Sequence, residues 1–263
     1  MDASPRSAAI EDPPVLRPDI FRETTSVNAG FSTRAGGVST RPFATLNLGF
    51  HVGDDAAHVQ ENRRRFCRAL RVDPARLATA DQVHGANVQR VTTARHVPAC
   101  DGLVTARPGL ALAIGVADCA AVLLADAAAG VVAVLHVGWR GAVAGIVAEG
   151  VAAMQAEGAA PERLRAYVSP CIGPDSFEVG PEVAAQFDDT FVVAPDEASD
   201  PDRTRPHVNL KAAIRGRLAA AGVSADAIEV SPHDTMAEPD TFFSYRAAGG
   251  TTGRMLGLVS LAP

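Results

Sequence analysis

The sequence predicts an α+β domain (α/β mixed) in which mixed β-sheet layers are flanked by helices. Three observations lead there. Residues 110–116, 121–124 and 131–137 are short aliphatic runs bounded by turn signals, the pattern of strands buried on both faces. Val143, Ile146, Val147, Val151 and Met154 then fall on one stripe at helical spacing. No linker or repeat divides the chain, so strands and helices are expected to share one folded unit.

The other elements follow in order. Residues 1–18 carry Pro5, Pro13, Pro14 and Pro18 without an apolar run and read as a disordered tail, leaving 19–263 as a single domain. Residues 24–33 are strand-like, and Arg34-Ala-Gly-Gly37 turns the chain. Residues 57–70 read as a helix with Arg and Glu outward, followed by Pro74. A strand pair is expected around the loop Asp81-Gln-Val-His-Gly85, because a β pattern resumes at residues 88–91. Gly130 turns the chain between the last two aliphatic runs. The helix starting near Gly141 stops at Gly158 and Pro161. A strand at residues 164–168 leads into Ser169-Pro-Cys-Ile-Gly-Pro174. Residues 182–187 and 210–221 look helical, 195–206 reads as an exposed acidic loop, and 228–231 and 254–261 are closing strands.

Composition narrows the function classes. A chain of 263 residues with 47% hydrophobic and 21% charged residues is an ordinary globular protein with a sizeable core. The net charge of -6, from 24 basic and 30 acidic residues, gives no indication of nucleic-acid binding. Four cysteines without a CxxC pair argue against a disulfide scaffold. No signal peptide is visible and no run approaches the ~18 apolar residues of a membrane span. A cytoplasmic setting, no membrane association and a monomer are expected.

Three segments place a reactive side chain at a strand end: Gln82-Val-His-Gly85, Ala117-Asp-Cys-Ala120 and Leu135-His-Val-Gly-Trp-Arg-Gly141. Two imidazoles and a thiolate suit zinc, and three protein ligands leave a fourth position for water or substrate. Spacing alone leaves a blander alternative open, in which Cys119 is a small core residue and His84 and His136 are merely hydrogen-bonded. Asp118 is placed to orient a ligand or act on a proton, or to serve only as a turn residue. Arg34 precedes a Gly-Gly turn and can hold an anion or stand solvated. Arg140 sits where a helix starts, with backbone N–H groups that suit an anion. Cys171 reads as a packing residue. In Phe242-Phe-Ser-Tyr-Arg246 the aromatics suit either a nucleobase or the core.

Taken together, these segments resemble one family. The resemblance rests on Phe31-Ser-Thr-Arg-Ala-Gly-Gly-Val-Ser39, Leu46-Asn-Leu-Gly49, Glu61-Asn-Arg63, Gln82-Val-His-Gly85, Ala117-Asp-Cys119, His136-Val-Gly-Trp-Arg-Gly141, Pro170-Cys-Ile-Gly-Pro174 and Phe242-Phe-Ser-Tyr-Arg246. The family has been labelled laccase-domain protein, multicopper polyphenol oxidase and peptidoglycan-editing factor, and is described as multifunctional purine nucleoside phosphorylase. The resemblance implies a fold like that of cysteine-dependent deamidating toxins. It implies zinc on His84, Cys119 and His136; by affinity alone copper can substitute on the same ligands. It implies phosphorolysis of adenosine, inosine and methylthioadenosine and hydrolytic deamination of adenosine, with purine nucleosides and phosphate as partners. Arg34 and Asn47 match positions near the substrate pocket, and Arg34 or Arg140 would hold phosphate. Three departures stand out: Ser169 for a usual Gly, Asp234-Thr235 for a usual Cys-Thr, and Arg246-Ala247 for a usual Arg-Arg.

Three other readings compete. A multicopper oxidase needs many histidines, typically as His-x-His, whereas this chain has seven and none stand two apart. A metal-free thiol hydrolase acting on cell-wall precursor amides would use Cys119 as nucleophile and His136 or His84 as base. A non-catalytic binding domain leaves the polar residues at strand ends unexplained.

Overall fold

A computed structural model describes residues 12–194 and 205–263. In chain order its strands are β1 (Val15–Leu16), β2 (Val27–Ser32), β3 (Leu77–Ala80), β4 (Val88–Arg90), β5 (His96–Val97), β6 (Gly102–Thr105) and β7 (Ala111–Val116). There follow β8 (Ala120–Asp126), β9 (Val131–Val137), β10 (Arg165–Val168), β11 (Val192–Val193), β12 (His207–Val208), β13 (Ile228–Val230) and β14 (Met255–Leu261). The helices are α1 (Ala56–Ala69), α2 (Trp139–Ala144), α3 (Ile146–Ala156), α4 (Pro181–Ala184) and α5 (Leu210–Ala220).

Among the described residues there are two six-stranded mixed sheets, ordered β1-β2-β14-β7-β3-β5 and β13-β10-β8-β9-β6-β4, and a small β11–β12 ribbon. The period-2 alternation of each central strand decides how they stack. Leu112, Ile114 and Val116 of β7 and Met255 and Val259 of β14 pack with Ala121, Leu123, Val132 and Val134 of the second sheet. The opposite face of the first sheet offers Ala111, Ala113, Leu256 and Leu258 to Phe66 and Leu70 from the α1 side. The opposite face of the second sheet offers Val122, Leu124, Ala133 and Leu135 to Ile146, Val147, Val151 and Met154 of α3 and to Ile214 and Leu218 of α5. The result is four layers, helix on sheet on sheet on helix. Strands β7, β8 and β9 are therefore aliphatic apart from Gly115, Asp126 and His136, because their faces are covered on both sides.

Several expectations need correction. Of the tail read over residues 1–18, residues 1–11 lie outside the described residues, but Val15–Leu16 pairs antiparallel with β2 as an edge strand. Strands β3 and β4 flank the Asp81-Gln-Val-His-Gly85 loop without pairing; they belong to different sheets, so this loop is a crossing. The helix after Gly138 is two helices, broken at Gly145, whose φ of 90° ends α2 and starts α3. Val143 consequently leaves the apolar stripe and is exposed. The helix expected at 182–187 is only the single turn of α4. Most of the expected acidic loop at 195–206 lies outside the described residues. No helix among the described residues is long and apolar enough to cross a membrane.

The two sheets come very close at Gly257, where an added Cβ would stand 2.5 Å from the Ala121 Cβ. Gly257→Val is therefore expected to force the sheets apart and destabilise the fold by about 1–3 kcal/mol. Urea denaturation followed by circular dichroism measures this, and an unchanged midpoint would refute the tight sheet contact.

Candidate active site

The chain crosses between the sheets twice at one end of the sandwich. The loop after β3 carries His84 to the second sheet, and the turn from β7 to β8 carries Asp118 and Cys119. His136 lies one residue from the end of β9, opposite Ala121 in the β8–β9 ladder. These paths bring the ligand atoms of His84, Cys119 and His136 within 4.8 Å of one another. The imidazoles of His84 and His136 meet edge to face, with centroids 4.7 Å apart. Burial is graded: His136 is buried, Cys119 half-buried and His84 exposed, so the cluster opens to one side.

Local backbone geometry makes the cluster compact. His84 and Asp118 hold positive φ values of 62° and 82°, a region where His and Asp occur more often than most residues. Gly138 clears the remaining space, since a Cβ there would stand 2.8 Å from the Cys119 Sγ. Gln82 pins the loop start by pairing with the backbone of Gly115, donating to its carbonyl at 2.8 Å and accepting from its N–H at 3.1 Å.

Asp101, at the start of β6, holds the site from below and is fully buried. Its carboxylate accepts from the backbone N–H groups of Val83 (3.3 Å), His84 (2.8 Å) and Gly85 (2.7 Å). It also lies 2.8 Å from the Nδ1 of His136, which leaves Nε2 to face the cluster. Burial alone would raise the Asp101 pKa; the bonds from His136, Gly85 and His84 outweigh it and hold the carboxylate below its ordinary value. Burial likewise would raise the Cys119 thiol, but the adjacent His136 and His84 bring it down to about 6. His136 would be lowered by burial, yet the Cys119 charge and the Asp101 bond raise it to about 9. Two imidazole nitrogens and a thiolate-prone sulfur at this spacing fit a zinc-type donor set.

The cluster opens on a cavity of about 780 Å³, within the size range of small-molecule sites. Asp118 and Arg140 line it, Arg140 lying over the Trp139 ring at 4.3 Å. The Asp118 carboxylate is engaged by the C-terminal segment: Thr235 donates to it at 2.7 Å and the Arg246 N–H at 2.7 Å. Arg34 and Asn47 do not line the cavity. The Arg34 guanidinium donates to the carbonyls of Ala44 and Pro239 and lies over Phe243. Asn47 is fully buried, and its Oδ1 accepts from Gly49 (3.0 Å) and Arg254 (2.9 Å), so it braces the cavity wall from behind.

Asp101, His51 and Arg254 carry no sequence signal of a site role, and Arg63 stands out only as part of Glu61-Asn-Arg63. A signal for Arg63 exists in the helix: Arg64 and Arg65 pair with Glu61 on the outer face, which leaves Arg63 turned toward the cavity. The C-terminal segment divides: Phe242 and Phe243 are core, whereas Tyr245 and Arg246 line the cavity. Two of the departures from the family pattern, Ser169 and Asp234, use their side chains, and nothing in the structure explains Ala247. Ser169 accepts from the Ala121 N–H at 2.9 Å, and Asp234 accepts from the Ser176 hydroxyl at 2.6 Å. Cys171 is fully buried, as its packing role requires.

Comparison with known proteins agrees with this geometry. A family model described as multi-copper polyphenol oxidoreductase laccase matches residues 28–262. The chain is 42% identical over 242 residues to purine nucleoside phosphorylase ORF3 of Streptomyces griseus, covering 90% of this chain and 96% of that one. It is 40% identical over 246 residues to purine nucleoside phosphorylase YlmD of Geobacillus stearothermophilus, covering 88% and 89%. The crystal structure of Bacillus licheniformis hypothetical protein YfiH superposes with a TM-score of 0.86 at 33% identity, covering 96% of this chain and 98% of that one.

Two outcomes are expected from this geometry. Asp101→Asn keeps the size of the side chain but weakens its hold on His136, and should cost about 10–100-fold in zinc affinity. Equilibrium titration with a competing chelator measures the loss; unchanged affinity would remove Asp101 from its role. With its folded pKa raised to about 9, His136 holds a proton at neutral pH that an incoming cation must displace. Zinc affinity should therefore climb with pH and level off near that value, and a flat profile between pH 6 and 9 would contradict the assignment.

Proposed function

The chain belongs to the multi-copper polyphenol oxidoreductase laccase family, and from that premise we propose that it is a purine nucleoside phosphorylase built on one zinc site. The observation that carries this reading is the His84–Cys119–His136 donor set opening on a cavity large enough for a nucleoside. Relatives across nearly the whole chain bear the phosphorylase name. The substrates are purine nucleosides and phosphate: adenosine, inosine and methylthioadenosine undergo phosphorolysis, and adenosine also undergoes hydrolytic deamination.

Zinc bound at these residues supplies a Lewis acid that polarises substrate and acidifies water. The chain supplies the rest. Asp101 fixes the orientation of His136. Phe50 and Tyr245 each leave about half their surface exposed on the cavity wall, 49% and 51%, and offer faces on which a purine can stack. Asp118 keeps both carboxylate oxygens on the C-terminal segment, a bonding pattern that suits holding that wall in place. Copper can occupy the same ligands by affinity alone. Multicopper chemistry needs several sites, whereas the described residues offer one such donor group and none of the seven histidines stand two apart.

One observation favours a second reading. With Cys119 lowered to about 6 and His136 raised to about 9, the metal-free chain holds a thiolate beside an imidazolium, the pairing of a thiol hydrolase acting on amides such as cell-wall precursors.

Cys119→Ala separates these readings from a non-catalytic role. It should abolish phosphate-dependent release of adenine from adenosine while leaving the circular dichroism spectrum intact; normal turnover would defeat both. Chelation should stop the wild-type reaction and zinc should restore it. Chelator-resistant amide hydrolysis that ends on thiol alkylation would establish the hydrolase instead.

A further inference from the structure

Four arginines line the cavity, and they are not equivalent. Arg140 is exposed and lies over its own neighbour Trp139, and Arg246 is exposed and donates to the Glu178 carbonyl at 3.1 Å. Arg63 and Arg254 are more withdrawn from solvent, and among the described residues neither forms an ion pair. A cation kept out of water without a counter-charge is costly, and a ligand anion is the group that removes the cost.

Both residues are anchored to the same short stretch of wall around Leu48, Arg63 by its side chain and Arg254 by its backbone. Arg63 donates from Nε to the Leu48 carbonyl at 2.8 Å and lies over the Phe50 ring at 4.5 Å. The Arg254 carbonyl accepts from the Leu48 N–H at 3.0 Å, and its Nη1 donates to the carbonyls of Thr252 and Gly253 at 3.0 Å. Among the described residues this leaves Nη1 and Nη2 of Arg63, and Nε and Nη2 of Arg254, without a protein acceptor. Asn47 fixes the backbone of Arg254 from the core side.

We propose that Arg63 and Arg254, with His51 beside them, form the oxyanion subsite of the cavity and hold the phosphate co-substrate.

The electrostatics agree. Burial lowers Arg63 to about 10, still a full cation at neutral pH. His51 is lowered first by burial, then by Arg254 and Arg63, which places all three groups in one positive field. Asp81 acts on His51 in the opposite sense but more weakly than either arginine, so the field stays positive. Arg254 also feels the charges of Cys119 and Asp118, which sets the subsite beside the metal cluster. The identity of the anion rests on the phosphorylase reading. In that reaction an oxygen of hydrogen phosphate bonds to ribose C1′ as the C1′–N9 bond breaks. The bonding pair leaves on the purine, which takes up the proton that hydrogen phosphate gives up, yielding free base and ribose 1-phosphate. Two planar forks suit a tetrahedral oxyanion better than one point charge would.

The test is calorimetric titration of the zinc-loaded enzyme with inorganic phosphate, paired with the KM for phosphate and for inosine. Arg63→Gln and Arg254→Gln should each weaken phosphate binding by at least ~10-fold, the loss expected when one charged partner is truncated. Zinc stoichiometry should stay unchanged and the KM for inosine should move much less than that for phosphate. Arg63→Lys and Arg254→Lys keep the charge and should recover part of the phosphate affinity, which covers the case of a Gln variant that fails to fold. Phosphate binding that vanishes in the variants, in an enzyme that does not cleave nucleosides, would uphold the subsite and sink the phosphorylase reading. Phosphorolysis with an unchanged phosphate KM in folded Arg63→Gln and Arg254→Gln would do the reverse. Absence of any phosphate binding to the wild type would overturn the subsite.

Discussion

A carboxylate cut off from water must find donors within the protein, and Asp101 finds four: the N–H groups of Val83, His84 and Gly85 and the Nδ1 of His136. The rest of the site depends on this arrangement. Three of the bonds hold a loop whose central residue has left-handed backbone. That conformation costs roughly 1–2 kcal/mol for a residue with a Cβ. Hydrogen bonds to a charged group contribute roughly 1.5–3 kcal/mol each, so the loop is held with a margin. The fourth bond sets the ring of His136. One buried side chain thus fixes two ligands on two different segments, and Cys119 is met by the space that Gly138 leaves open.

The sheets decide why these segments meet. Two of the crossings from one sheet to the other take place at the same end of the sandwich, so the loop after β3 and the turn after β7 arrive together. The cavity then acquires two different ends. The metal cluster offers soft donors, whereas the stretch around Leu48 presents cations and aromatic faces. The C-terminal segment joins them: Asp118 holds Thr235 and Arg246, and Arg254 begins the return into β14.

Much of the scaffold was legible because burial on both faces leaves an unmistakable pattern. The runs at β7, β8 and β9 are aliphatic on both faces over most of their length, and α1 ends where its apolar face does. Which strands pair was not legible around Asp81-Gln-Val-His-Gly85, since pattern marks a strand but not its sheet. His84, Cys119 and His136 stood out because reactive side chains at strand ends are conspicuous. Asp101 did not, for an acid before a Gly reads as an ordinary turn, and its use appears only when His136 folds over it. Arg34 and Asn47 were drawn toward the pocket by their motifs, yet a motif cannot say on which side of the backbone a side chain falls. Both point away from the cavity: Arg34 bonds to the carbonyls of Ala44 and Pro239, and Asn47 braces the wall from behind.

The four-layer arrangement has one more consequence. His84, Asp118, Cys119, Tyr245 and Arg246 face the cavity from connections, while most side chains of the strands between the two sheets are committed to packing. Selection can act on the two separately. Exchanges in the connections retune which molecules are accepted without disturbing the melting behaviour, and exchanges in the strands are filtered by foldability before any chemistry is at stake. A lineage carrying this architecture can change its diet while keeping its skeleton.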